Sequence, residues 1–174
     1  ARLRDMGLSL IYYGIESGHP DVLKDIRKGS TPEKLIEQAR RLKKAGFALS
    51  VTVILGLAGK DRSREHAVET GRVLSAVDPE YVGALSLMVA EDAPIYERLR
   101  SGDLVLPEGV DFVQELGLMF ANTHLSNGWF MANHASNYLT IRAHLPEDRE
   151  PAMRRIAAAL DGAIPLRDEW MRAL

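Results

Sequence analysis

A chain of 174 residues with 46% hydrophobic and 26% charged side chains and a net charge of −2 has the make-up of about one ordinary globular domain. These values exclude disorder as the main state and give no support to a nucleic-acid or membrane surface. Cysteine is absent, so a disulfide framework, a thiolate metal site and a cysteine nucleophile cannot be built from these residues.

The chain opens on Ala1-Arg-Leu-Arg-Asp-Met-Gly7, which reads as the end of a helix closed by a left-handed glycine. Such an opening is expected of a piece cut from a longer protein or of a trimmed N-terminus. Leu8 to Ile15 is a β-rich, nearly all-apolar run, the pattern of a strand covered on both faces. A short helix over Pro20 to Lys28 follows, then a longer one from Pro32 to Ala45, with Thr31 as N-cap, Pro32 at the first turn and Gly46 as the stop. Leu35, Ala39 and Leu42 share one face of that helix. Phe47 to Leu55 is a second strand, Ser63 to Ala76 a helix stopped by Asp78-Pro79, and Tyr81 to Val89 a third strand.

Alternation at this spacing predicts βαβ crossovers and a parallel sheet. Three strands are too few for a complete α/β domain, so further strands are expected upstream of Ala1. The second half carries helical patterns at Asp111 to Leu125, Glu150 to Leu160 and Pro165 to Leu174, the last with Leu166, Trp170 and Leu174 turned inward. With no further strand signal, the expected division is a βαβαβ portion over 1–92 and a mostly helical extension over 93–174 packed on it.

Ligands of parallel α/β folds sit beyond the C-terminal ends of the strands, which directs attention to the residues just after each one. Glu16 and Ser17 follow the first strand: a polar pair able to accept from an amine or a ribose hydroxyl, or else a rim ion pair and a turn. Gly56 and Gly59 follow the second: room for a ligand against the backbone, or only a turn. Lys28 stands at a helix end, and Lys60 and Asp61 are expected in solvent. The segment Trp129 to Tyr138 places Asn133, His134, Ser136 and Asn137 beside aromatic side chains. That is either a small-molecule pocket, with His134 able to act as acid or base, or a buried loop whose side chains satisfy the backbone. His124, His134 and His144 lack metal-ligand spacing, and no metal is expected to bind this chain.

The block Tyr13-Gly-Ile-Glu-Ser-Gly-His-Pro-Asp-Val-Leu-Lys-Asp-Ile-Arg-Lys-Gly-Ser-Thr31, continued through Ala39-x5-Ala45-Gly-Phe and Val51-Thr-Val-Ile-Leu-Gly-Leu-Ala-Gly59, resembles the radical S-adenosylmethionine superfamily. The tail from Trp129 to Asp148 is similar to a subgroup of Fe–S oxidoreductases. The resemblance implies the fourth, fifth and sixth strands of a partial (β/α)6 TIM-like barrel. It implies Glu16 and Ser17 near the methionine or ribose part of S-adenosylmethionine, and Lys28 toward its carboxylate. Ile54, Leu55 and Gly56 would back the adenine. Gly59 and Thr52 depart from the family's fifth-strand pattern, in which a glutamate and a glycine are common at those places.

The family holds a 4Fe–4S cluster on a Cys-x3-Cys-x2-Cys loop, and cluster ligation needs thiolates. As given, the chain cannot bind it. The resemblance therefore implies the inactive C-terminal part of an oxidoreductase. Its parent would cleave S-adenosylmethionine reductively and abstract a substrate hydrogen, completed by a missing N-terminal half and acting on an unidentified small molecule. Other readings are a non-catalytic α/β scaffold or interaction module, or another barrel class such as an aldolase, for which Lys60 is the nearest lysine. A free sheet edge would allow an edge-strand dimer. No membrane-spanning stretch or signal peptide is present, so a cytoplasmic location is expected.

Overall fold

The computed structural model describes residues 2–173. Ala1 and Leu174, each given a place in the sequence reading, lie outside them. The chain folds as α1 (Arg2–Asp5), β1 (Leu10–Glu16), α2 (Pro20–Asp25), α3 (Pro32–Lys44), β2 (Ala48–Leu55), α4 (Ser63–Val77) and β3 (Tyr81–Ser86). Then come α5 (Pro94–Ser101), α6 (Gly109–Ala121), β4 (Gly128–Ala132), β5 (Ile141–Leu145), α7 (Arg149–Leu160) and a 3-10 turn, Glu169–Met171. Among the described residues no helix is long and apolar enough to cross a membrane.

Local chemistry sets the helix boundaries as the sequence predicts. The Thr31 hydroxyl accepts from the Lys34 amide at 3.4 Å, Pro32 opens α3, and Gly46 leaves it at φ 87°. Asp78, at φ 51°, ends α4 in the left-handed conformation. Its carboxylate then accepts from the Ser126 amide at 2.8 Å and the Ser126 hydroxyl at 2.6 Å, fixing the connection that leads into β4.

The sheet has five strands in the order β1-β2-β3-β4-β5. The first four are parallel, and β5 runs antiparallel beside β4. The second half therefore contributes two strands where a mostly helical extension was expected. Both are five residues long, too short for a clear period, and Gly128 and Ala132 bracket β4 with weak strand formers. The expected last helix over Pro165 to Leu174 is reduced to the 3-10 turn, and Trp170 is 80% exposed rather than inward.

A second correction concerns the faces. Register places Tyr13, Val51, Val82, Phe130 and Ala143 in one row across the sheet. Val51, Val82, Phe130 and Ala143 are fully buried in one core with Leu35, Leu74, Leu116 and Ile156 of the helices. The adjacent row, Tyr12, Ser50, Tyr81, Trp129 and His144, lies on the opposite face. There Tyr12 is 79% exposed and the others are only partly covered. One face is packed and the other open, although the strands are apolar enough for two covered faces. A doubly wound sheet would be covered on both faces; here the core helices lie on one. The sheet is open, with β1 and β5 as its edges.

Candidate functional site

The C-terminal ends of β1 to β4 form one rim, and the residues following each strand decide what it offers. Glu16 ends β1 at φ 66°, next to an irregularity in the register with β2. Its Oε1 lies 3.2 Å from Lys28 Nζ, with both side chains about a quarter exposed (23% and 27%). A Cβ on Gly14 would meet the Glu16 carboxylate and the Lys28 ammonium, so the glycine lets this pair lie flat on the open face of β1.

Ser17 turns the other way. It is fully buried, and its Oγ accepts from the His19 amide at 3.0 Å. The next amide, Gly18, donates to Thr70 Oγ1 of α4 at 2.9 Å. His19 caps α2 by accepting from the Asp21 amide at 3.2 Å. Ser17 and His19 thus set the β1–α2 turn.

Strand alternation splits the residues expected at the end of β2. Leu55 is buried in the helix-side core, while Ile54 faces the open side. Ile54 lines a cavity of about 500 Å³ together with Ile26, Leu57, Leu87 and Ile95, and Asp25 and Arg98 stand at its lip. The Leu87 amide donates to the Leu55 carbonyl at 2.9 Å, holding two walls of the cavity together. An apolar slot with a charged lip suits a flat heterocycle carrying a polar substituent.

Gly56, at φ 80°, is approached closely by protein rather than by open space. A Cβ there would strike the Phe112 ring of α6, and its amide donates to Glu115 Oε1 at 2.8 Å. Gly59 is likewise packed under Leu104 and Val105. Lys60 pairs with Asp111 at 3.0 Å and is half exposed. Its hydrogen bond and charge contact with Asp111 raise the Lys60 pKa. The Glu108 amide, with Lys60 second, holds the Asp111 carboxyl below the usual aspartate range.

The four polar residues after β4 divide evenly. Ser136 and Asn137 are buried: Ser136 Oγ accepts from the Ser86 amide at 3.2 Å, and Asn137 Oδ1 accepts from Ser86 Oγ at 2.9 Å. Asn137 Nδ2 donates to the Ala84 carbonyl at 2.9 Å. These two fasten the end of β3 to the β4–β5 connection. Asn133 and His134 stay exposed, His134 Nδ1 lying 3.0 Å from Ser136 Oγ. None of the four lines the cavity of about 620 Å³ that is bounded by Leu87, Phe112, Tyr138 and Arg172 among others. The Arg172 guanidinium is already engaged by the Ser136 and Leu87 carbonyls at 2.7 and 3.0 Å and by Glu169. Burial, then the hydrogen bond to Glu169, pushes the Tyr138 phenol up to about 12, so it stays protonated.

Ser63, His66 and Glu115, which no sequence motif marks, meet beneath the rim. A lone glutamate among Phe112, Val113, Leu116 and Met119 on the apolar face of α6 was the available signal. Among the described residues no cluster of three or more histidine, cysteine, aspartate or glutamate side chains could hold a metal ion.

Comparison with known proteins bears on part of the chain. Residues 1–71 match the model of the Radical SAM superfamily. A stretch of 79 residues is 32% identical to a protein named as an uncharacterized methyltransferase of Pyrococcus horikoshii; it makes up 45% of this chain and 17% of that relative's length.

Proposed function

Because residues 1–71 match the model of the Radical SAM superfamily, we propose that the rim of this sheet holds the nucleoside of S-adenosylmethionine, as part of a radical SAM enzyme. The observation that carries this reading is the apolar slot of Ile54, Leu57 and Leu87, which shares the strand-end rim of a singly wound parallel sheet with the Glu16–Lys28 pair. The slot takes the adenine between aliphatic walls, removing it from water. Glu16 accepts from the ribose hydroxyls or the methionine ammonium, and Lys28 meets the methionine carboxylate, so the pair exchanges its internal bond for bonds to the cofactor. Ser17, Leu55 and Gly56 support the two turns from behind.

The family's cluster does not fit the donor set of this chain. It needs thiolates and the sequence has no cysteine, so cluster chemistry has to come from residues outside these 174. Bound S-adenosylmethionine would offer its methyl group to a nucleophile or, given one electron from a cluster held outside these residues, would break its C5′–S bond to release methionine and leave a 5′-deoxyadenosyl radical for hydrogen abstraction. The oxidoreductase reading follows the tail sequence, and the relative's name favours methyl transfer as a second reading. Both use the same nucleoside site. A non-catalytic scaffold would keep the sheet without using it.

The test is a titration of the 15N- and methyl-labelled protein with S-adenosylhomocysteine, which needs no cluster. Saturable shifts at Ile54, Leu57, Leu87 and Ile95 are expected. Absence of shifts at millimolar ligand, or shifts confined to the helix-covered face, contradicts the assignment.

A further inference from the structure

Glu115 has no apolar reason to be where it is. It sits fully buried on the face of α6 that also carries Phe112, Val113, Leu116 and Met119, and a leucine there would be expected on packing grounds alone. A carboxylate withdrawn from water is costly unless paired and hydrogen-bonded. Three groups answer it. The Gly56 amide donates to Oε1 at 2.8 Å, the Ser63 hydroxyl donates to Oε2, and His66 Nδ1 lies 2.9 Å from Oε1.

The donors come from the turn after β2 and from the first turns of α4, so one carboxylate ties α6 to both ends of the β2–α4 connection. His66 is also fully buried, and among the described residues its Nε2 has no hydrogen-bond partner. Among the described residues, Glu115 gives the ring its hydrogen bond. Gly56 is the first residue after β2, and Leu57, one residue on, forms a wall of the slot. Thr70 of α4 holds the neighbouring turn through Gly18 in the same manner.

We infer that Glu115 is a positioning residue. Its carboxylate, aligned by Ser63 and His66, fixes the Gly56 backbone and thereby the Leu57 wall of the nucleoside slot. The consequence for binding rests on the proposed function; the contact itself does not.

The experiment compares wild type, Glu115→Leu and Glu115→Gln by amide hydrogen exchange at Gly56 and by S-adenosylhomocysteine titration read at Leu57. In E115L the Gly56 amide is expected to exchange at least about tenfold faster, as for loss of a hydrogen bond to a charged acceptor. Ligand affinity is expected to fall with it. In E115Q the amide oxygen still accepts from Gly56, and both readouts recover toward wild type. A folded E115L with unchanged Gly56 exchange overturns the inference, as does an E115Q that fails to recover. If E115L does not fold, the wild type decides: a scalar coupling across the hydrogen bond from the Gly56 nitrogen to the Glu115 carboxyl carbon is expected, and its absence counts against the contact. If wild type binds no S-adenosylhomocysteine, the nucleoside reading fails while the exchange and coupling readouts still judge the contact.

Discussion

At Gly56 two constraints coincide, a positive φ of 80° and the Phe112 ring occupying the place of a Cβ. Alanine there has to strain the backbone and displace an aromatic ring at once. Gly56→Ala is expected to destabilise the protein by about 1–3 kcal/mol, the range for a side chain forced into the left-handed region. Urea unfolding at neutral pH measures it, and a loss near zero would mean that the turn has another accessible conformation. The same residue shows what a sequence conveys. That Gly56 lies on the rim followed from its place after an apolar strand. That its amide points down to Glu115 did not, because the partner is 59 positions away along the chain. Ser17 and Leu55 repeat the lesson: both were placed at the right strand ends, yet each side chain turns into the core. Ile54 points the other way only because side chains alternate.

Among the elements, α6 links core to site. It carries Phe112 against Gly56 and Glu115 beneath it, so its N-terminal anchoring matters to the rim. The Asp111 carboxylate accepts from the Glu108 amide at 3.0 Å, closing a capping box, and meets Lys60 at 3.0 Å. These contacts hold its pKa below the ordinary value. A folded-state pKa lowered in this way adds stability above the unfolded value, near 4, and that stability is lost as pH falls through the folded one. Asp111→Asn is therefore expected to be less stable than wild type at neutral pH, by less than about 1 kcal/mol for so exposed a group. The gap should close on acidification, as the pH falls below the unfolded value and through the lower folded one. A gap constant with pH would assign the effect to shape rather than charge.

The βα units of the first half were legible because long apolar runs alternate with capped, amphipathic helices. Thr31, Pro32 and Gly46 mark one such helix by local chemistry alone. β4 and β5 were not legible: five residues each, they become strands because β3 and then β4 offer them edges. The helical expectation for the last residues failed for the converse reason. Arg172 is drawn onto the Ser136 and Leu87 carbonyls, so that segment follows long-range partners rather than its own period.

For the molecule as a whole, the defining feature is a mostly parallel sheet packed on one side only. The buried face accounts for stability. The open face and the strand-end rim hold the groups that burial leaves free: Tyr12, the Glu16–Lys28 pair, Ile54, and Trp129 with Arg142 at 4.8 Å from its ring centre. Nucleoside binding at that rim is the central claim. Isotope-filtered NOEs between the adenine protons of S-adenosylhomocysteine and the labelled protein test it most directly. Contacts from the adenine to the methyl groups of Ile54, Leu57 and Leu87 are predicted. Contacts instead to the outer surface of α3 around Ile36, or none under saturating ligand, would contradict it.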